Sequence, residues 1–401
     1  MHSKTPTNAN AVPKRAIFLL ALASFVGAAN LRVCDALLPQ IAGELGVTVG
    51  SAAAMVTAFA VAYGVCQIVV GPLGEARGKL LMVVWGSIWA GLATMVCAAM
   101  PSLAPLVLLR FLAGAGAAAV IPLAIAWIGD VVAYERRQAL LAQYISGQIL
   151  GIVFGQAVGG ALGELIGWRA TLIVLGVLHI CAGLLLLEER RRLSVGVTPP
   201  KKPHWRSAAA ETYQVMRRPW VRIVLICVFI EGMAMFGALA YVGAELHDRF
   251  AIGLGLVGAV LASFGAGALL FAASARWIVP QLGQPGLAAA GALLVAGGYA
   301  TLAVMSWLWL AVLAIASVGL GFYMLHNTLQ VNATQMAPEA RGLAVSLFAF
   351  FLFTGQSVGV ALAAPVVDRH GARPVFAAAA LILILVAFWF RARLLRRALG
   401  S

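Results

Sequence analysis

Apolar stretches of about twenty residues, parted by short polar or Pro/Gly-rich breaks, recur from residue 16 to residue 391. A hydrocarbon core ~30 Å thick takes ~20 helical residues to cross. Twelve stretches reach that length: 16–42, 51–71, 79–100, 103–128, 138–165, 168–187, 220–244, 253–278, 285–304, 307–335, 342–366 and 374–391. One long polar segment, 188–219, leaves six stretches on either side. The pattern predicts an all-α membrane protein of twelve transmembrane helices in two six-helix bundles, 16–187 and 220–391. A cytoplasmic N-terminal tail (1–15), a cytoplasmic linker (188–219) and a basic cytoplasmic tail (392–401) complete the expected layout. Lys14 and Arg15 before an apolar run resemble the start of a secretory leader. That run continues to about Ala42 and carries Arg32 and Asp35, so it reads as an uncleaved first span.

Composition agrees with the pattern. Hydrophobic residues make up 62% of the chain and charged residues 10%, where a soluble domain carries about 25% charged residues. The net charge of +14 is informative through its placement. With the N-terminus inside, the cytoplasmic segments hold 22 of the 28 Lys and Arg residues, nine of them between Arg190 and Arg222. The outer side keeps Arg169, Arg249, Arg369 and Arg373, while Arg32 and Arg110 lie within spans. By the positive-inside rule both termini are expected in the cytoplasm, the protein sitting in a bacterial inner membrane. The charge then needs no nucleic-acid partner. The five cysteines, Cys34, Cys66, Cys97, Cys181 and Cys227, fall in separate apolar segments without disulfide or metal-ligand spacing and read as small packing residues. No nucleophile triad, metal cluster or phosphate loop is present in the pattern, so neither enzymatic activity nor a cofactor is expected.

The halves resemble each other. Gly155-Gln156-Ala157-Val158-Gly159 in the fifth span matches Gly355-Gln356-Ser357-Val358-Gly359 in the eleventh. Arg137 precedes Arg169 by 32 residues, as Arg341 precedes Arg373. The segment Ala36–Leu45 closes the first span, and a similar one, Ala238–Leu246, closes the seventh. Parallel repeats of this kind are an architecture of secondary transporters. Six glycines stand at four-residue spacing in and after the fifth span: Gly147, Gly151, Gly155, Gly159, Gly163 and Gly167. Small residues at this spacing let a neighbouring membrane helix approach closely. Each step of four drifts ~40° around an ideal helix, about 200° over the ladder, which predicts different neighbours for its two ends. The middle glycines read as a packing surface for moving helices.

Ionisable residues inside spans are functional candidates by default. Asp35 and Arg110 lie at similar depth, about seven residues from the outer ends of the first and fourth spans, and are expected to meet. They read as a proton-coupling pair or as a static structural pair. Arg32, one turn deeper on the face of Asp35, neutralises that acid or meets an anionic substrate. Glu231 lies near the midplane of the seventh span, and no Lys or Arg of the second half shares its depth. A carboxylate without a cation there favours proton uptake, making Glu231 a candidate proton carrier; the other reading is a protonated acid bonded to a neighbouring helix. Tyr323, His326, Asn327, Gln330 and Thr334 form a polar stripe on the tenth span, expected to face a central substrate cavity. Phe348, Phe350, Phe351 and Phe353 cannot share one face, and lipid contact is expected for most of them. His179 reads as structural.

At these residues the chain resembles the major facilitator superfamily, and within it the twelve-span drug:proton antiporter branch. The segment from Gly71 to Leu80 resembles the family's cytoplasmic gate motif: Gly71, Leu73, Gly78 and Lys79 match, Glu75 replaces the usual aspartate and Ala76 an arginine. The resemblance implies that this loop latches the two halves against an acid at the start of the eleventh helix, with Asp130, Arg77 and Arg136 or Arg137 in the same cluster. Arg110 falls where the family has a buried arginine implicated in proton coupling. The glycine ladder lies where the family's antiporter motif lies: Gly151, Gly155, Gly159 and Gly160 match, with Gln156 in place of proline. The resemblance implies a monomeric, proton-coupled transporter that exports a small organic or drug-like compound by alternating access. Import of a metabolite with protons on the same fold is the alternative, and a non-transporting membrane receptor is the second.

Overall fold

Each apolar stretch folds as helix in the computed structural model, which describes residues 13–132, 134–193 and 205–399. Side chains of residues 134–139, 142, 143, 205–209 and 398 lie outside the description, Arg136 and Arg137 among them, as do 1–12, 194–204 and 400–401 of the expected tails and linker. Helix α1 (Lys14–Leu45) forms the first span, and α2 (Val49–Ala52) with α3 (Ala54–Arg77) the second. Helix α4 (Lys79–Cys97) is the third, and α5 (Leu103–Ala117) with α6 (Val120–Val131) the fourth. Helix α7 (Tyr134–Arg192) covers the fifth and sixth, and α8 (Trp205–Met216) lies in the linker. Then come α9 (Pro219–Phe250), α10 (Leu254–Leu261), α11 (Ser263–Val304) and α12 (Leu308–Gln335). Helix α13 (Arg341–His370) and α14 (Arg373–Leu399) close the chain.

Ten helical segments among the described residues are long and apolar enough to cross a membrane. Two of them, of 49 and 51 residues, are too long for one crossing. Each is broken by a glycine with non-helical backbone, Gly167 (φ 83°) in α7 and Gly283 (φ 59°) in α11. Without a Cβ, glycine adopts positive φ freely, so the chain can turn there within one residue. Each glycine falls between two of the expected stretches, Gly167 between 138–165 and 168–187 and Gly283 between 253–278 and 285–304. Several helices outrun the expected spans: α1 continues to Leu45, α9 to Phe250 and α14 to Leu399. Cutting at charged residues ends a stretch where hydropathy falls, but the backbone stays helical into the polar boundary.

The glycine ladder corrects one expectation. A methyl added at Gly151 or Gly155 would strike the backbone of Phe25 or Ala29, and one at Gly159 or Gly163 the side chain of Val33 or Leu37. Gly147 faces Ala21. Five of the six glycines therefore meet one neighbour, α1, each facing the residue 126 positions earlier. The ends do not choose different partners, because α1 follows the drifting stripe; a repeat longer than 3.6 residues wraps two helices right-handedly. Gly355 and Gly359 face Phe229 and Met233 of α9 with the same offset of 126. The repeat is thus one packing unit used in both halves.

The halves meet along α3 and α13, where Tyr63 and Phe353 rings lie 4.5 Å apart, and along α7 and α10, where Gly160 and Gly258 allow close approach. The terminal residues of α1 and α14 share one face of the bundle, here the termini-bearing face; the turns after α1, α9 and α13 lie on the opposite face. Of the cysteines, Cys181 departs from the packing role, being exposed on the bundle surface.

Candidate functional site

Buried charges gather where α1, α5, α9 and α12 approach each other. On α1, Arg32 Nη1 donates to Asp35 Oδ2 at 3.4 Å, both side chains being buried, as their three-residue spacing predicts. Asp35 Oδ1 has no hydrogen-bond partner. Arg110 does not pair with Asp35. It donates instead to the Asn30 side-chain oxygen at 2.7 Å and to the Asn30 carbonyl at 3.1 Å, and its guanidinium lies 4.4 Å from the Phe59 ring centroid. Asn30 in turn donates to Thr94 Oγ1 at 2.8 Å. A neutral residue five positions before Asp35 on α1, and so further from the opposite face, has taken the arginine, and Asp35 is left to Arg32.

Glu231 has a basic partner that counting Lys and Arg alone overlooks. His326 Nδ1 of α12 lies 2.9 Å from Glu231 Oε2, and donates to it when the acid is ionised. Glu231 Oε1 has no partner. The histidine ring is held between Phe322, nearly parallel at 4.7 Å, and Phe348 at 5.2 Å. Phe348 therefore faces inward, as do Phe353 against Tyr63 and Phe351 against Phe229, so lipid contact does not account for the phenylalanine cluster. Along the polar stripe, Tyr323, His326 and Asn327 are half-buried while Gln330 and Thr334 are exposed, the exposure rising towards the termini-bearing face.

The stretch resembling the gate motif is built within the N-terminal half. Gly78 (φ 93°) turns the chain between α3 and α4, which explains glycine at that position. Lys79 Nζ then bridges Glu75 at 2.8 Å and Asp130 at 2.7 Å. Asp130 thus pairs with Lys79 rather than with Arg77, and Gly71 and Leu73 lie half-buried on α3. The acid before α13, Glu339, pairs with Arg218 at the start of α9 at 2.5 Å, so among the described residues it makes no latch to the first half. In the glycine helix, Gln156 is fully buried with both amide atoms unpartnered, and so is its counterpart Gln356.

Two contacts that sequence reasoning missed join the halves at the opposite face. Asp368, at the end of α13, accepts from the Gly50 amide at 2.8 Å and from Thr48 Oγ1 at 2.7 Å, at the start of α2. Glu164 on α7 accepts from the Gly255 amide at 2.6 Å, at the start of α10. A carboxylate suits free amides at a helix start. Glu164 and Asp368 are 204 positions apart, the spacing that relates Arg169 to Arg373. That shared spacing is the signal by which they were findable. Those two arginines pair with Glu44 at 2.6 Å and Glu245 at 3.2 Å, each inside its own half.

Residues 20–360 match the Major Facilitator Superfamily profile. The chain is 28% identical to a chloramphenicol resistance protein of Streptomyces lividans, across 94% of this chain and 96% of that one. It is 25% identical to the MFS-type transporter YceJ of Bacillus subtilis, across 86% and 88% of the two chains. Among solved structures it resembles a bacterial homologue of the human lysosomal transporter Spinster in an inward-facing, unoccupied conformation, with TM-score 0.76, 17% identity and coverage of 95% and 97%. The nucleoside transporter NupG gives TM-score 0.77 at 14% identity over 94% and 99%. With an all-helical fold, repeat-related glycine packing and a family match over residues 20–360, the chain belongs to the Major Facilitator Superfamily.

Proposed function

We propose that the protein is a proton-coupled secondary transporter of the bacterial inner membrane that exports a small organic compound by alternating access. The observation that carries this reading is the pair of buried acid–base contacts, Asp35–Arg32 in one half and Glu231–His326 in the other. Each acid keeps one oxygen without a partner, open to a proton. Charged groups are costly at this depth, and a transporter gains from acids whose charge it can switch. Protonation changes the balance around Arg32 and Arg110, and the two states of the bundle differ in how they hold these groups. The termini-bearing face is cytoplasmic in this reading, and the chain works as a monomer. Export is supported by likeness to the chloramphenicol resistance protein, at 28% identity.

Growth inhibition of an overexpressing strain and of a deletion strain, across a broad compound panel that includes chloramphenicol, identifies the substrate. Flux of that compound into inverted vesicles should follow an imposed pH gradient. Asp35→Asn and Glu231→Gln should each lower the gradient-driven flux about tenfold or more while sparing equal-pH exchange. Unchanged gradient-driven flux with both acids replaced would overturn proton coupling at these residues; flux in the reverse direction would overturn export.

A further inference from the structure

An unbroken row of side chains joins the two acid–base pairs. Arg32, held by Asp35, places its guanidinium carbon 4.2 Å from the centroid of Phe236. Phe236 packs edge-on against Phe322, with centroids 5.2 Å apart and planes at 69°. Phe322 stacks on His326 at 4.7 Å, and His326 holds Glu231 at 2.9 Å. Arg32 and Asp35 belong to the first half and the rest of the row to the second. Among the described residues, the other arginine–ring contacts stay within one half: Arg110 with Phe59, Arg169 with Trp168, Arg397 with Trp220. The Arg32–Phe236 contact is the one that crosses.

We propose that Phe236 is a positioning residue that makes the proton occupancy of one acid–base pair depend on that of the other. The inference rests on the proton-coupled reading above. While Asp35 is ionised, Arg32 divides its attraction between the carboxylate and the ring face. Once Asp35 takes a proton, the ring face is the guanidinium's remaining partner within the row, and a cation–ring contact gains strength away from water. Arg32 then bears harder on Phe236, whose edge rests on Phe322, and Phe322 sets the tilt of the His326 ring. That tilt governs the contact between Nδ1 and Glu231. The effect runs equally in the other direction, because coupling between two sites is reciprocal. Other titratable groups face the row: Arg110 from α5 and Cys34 beside Asp35, Tyr299 from α11 and Tyr323 from α12 near Arg32, and Cys227 one turn from Glu231.

Infrared difference titration of the purified full chain in lipid nanodiscs reads carboxyl protonation without a transport substrate. The Asp35 band is assigned by its loss in Asp35→Asn. Glu231→Gln should move the Asp35 titration midpoint by about one pH unit, the tenfold change of a mid-range coupling. In a Phe236→Leu background the same Glu231→Gln change should leave that midpoint where it was, and Phe236→Trp, which keeps a ring face, should restore the dependence. A merely structural Phe236 would alter stability and leave the dependence intact. An unchanged dependence in Phe236→Leu, or no dependence with Phe236 in place, overturns the inference. If neither acid titrates between about pH 5 and 9 in the unaltered protein, it is the proton-coupled reading that fails.

Discussion

The two faces of the bundle are tied in opposite ways. At the opposite face, Glu164 and Asp368 each reach out of their own half to the helix start of the other. At the termini-bearing face the ion pairs among the described residues make no such crossing: Arg15 with Glu189 joins α1 to α7, Lys79 with Asp130 joins α4 to α6, and Arg218 with Glu339 joins the starts of α9 and α13. Under the proposed alternating access, the difference separates contacts the bundle has to break from contacts it has to keep. A carboxylate on exposed helix amides contributes ~0.5–1 kcal/mol, small enough to be made and lost in each cycle. Glycine packing inside a half is of another kind. There the helices touch backbone to backbone, as Gly155 does with Ala29, and nothing can give way without moving a whole helix.

The largest effect is therefore expected where a contact has to be kept. Gly155→Leu drives a side chain into the Ala29 backbone, an overpacking that costs ~1–3 kcal/mol or more. Its yield of monodisperse protein after detergent extraction should fall several-fold. Gly159→Leu meets a side-chain methyl of Val33 and should be milder, because that valine can shift. Gly167→Leu has open space but a backbone of φ 83° and ψ 158°, a region that is essentially glycine's alone and costs a side chain roughly 1–3 kcal/mol; with no neighbour to strike, it should lose less than Gly155→Leu. An extraction yield for Gly155→Leu equal to that of the unaltered protein would break the distinction between rigid halves and movable faces.

Next in size come the two clamps. Glu164→Gln with Asp368→Asn removes both anions from the helix starts while keeping side-chain size. At ~0.5–1 kcal/mol each, the pair should move the equilibrium about tenfold towards opening of the opposite face, and each single change about threefold. Electron-spin distances between labels on the α1–α2 turn and the end of α13 would report this as a longer-distance population. The two sites share no partner, so their effects should add. A distribution untouched by the double change would mean that Tyr63, Phe353 and the α7–α10 packing hold that face closed without the carboxylates.

Much of this architecture is legible in the sequence. The all-helical membrane class, the repeated glycine packing and the Arg32–Asp35 contact follow from hydropathy, internal repetition and helical spacing, which are local or periodic signals. What stays hidden depends on which helices become neighbours. Arg110 and Asp35 share a depth, yet depth is one coordinate of three, and Asn30 stands on the side of α1 that α5 meets. Glu231 lies about twelve residues into α9 and His326 about nine residues before the end of α12. The helices run in opposite directions, so both groups lie at a similar depth, but a histidine within a polar stripe carries no mark of its partner. The ladder misleads for a related reason: its drift is that of a straight helix, whereas two helices in contact wind around each other. Glu164 and Asp368 are findable from their shared spacing of 204. Asp368 sits just beyond its apolar stretch and Glu164 at the last turn of its own, however, where charge is expected and attracts no notice.

The smallest effect should come from the termini-bearing face, and it tests the comparison from the other side. Arg218 and Glu339 form an exposed pair between the starts of α9 and α13, and exposed pairs contribute little because water and salt screen them. Neither residue crosses to the first half, so opening or closing of the bundle leaves their separation unchanged. Glu339→Gln should thus keep transport within about twofold of the unaltered protein and leave the spin-label distances across the opposite face as they were. Added salt should move the unaltered protein equally little. Should Glu339→Gln instead lengthen or shorten those distances as the double clamp variant does, Glu339 would have a partner in the first half in the other state of the bundle. The Arg218 contact would then be its resting place between two latches, and the two faces would be alike in kind, differing only in which one is engaged.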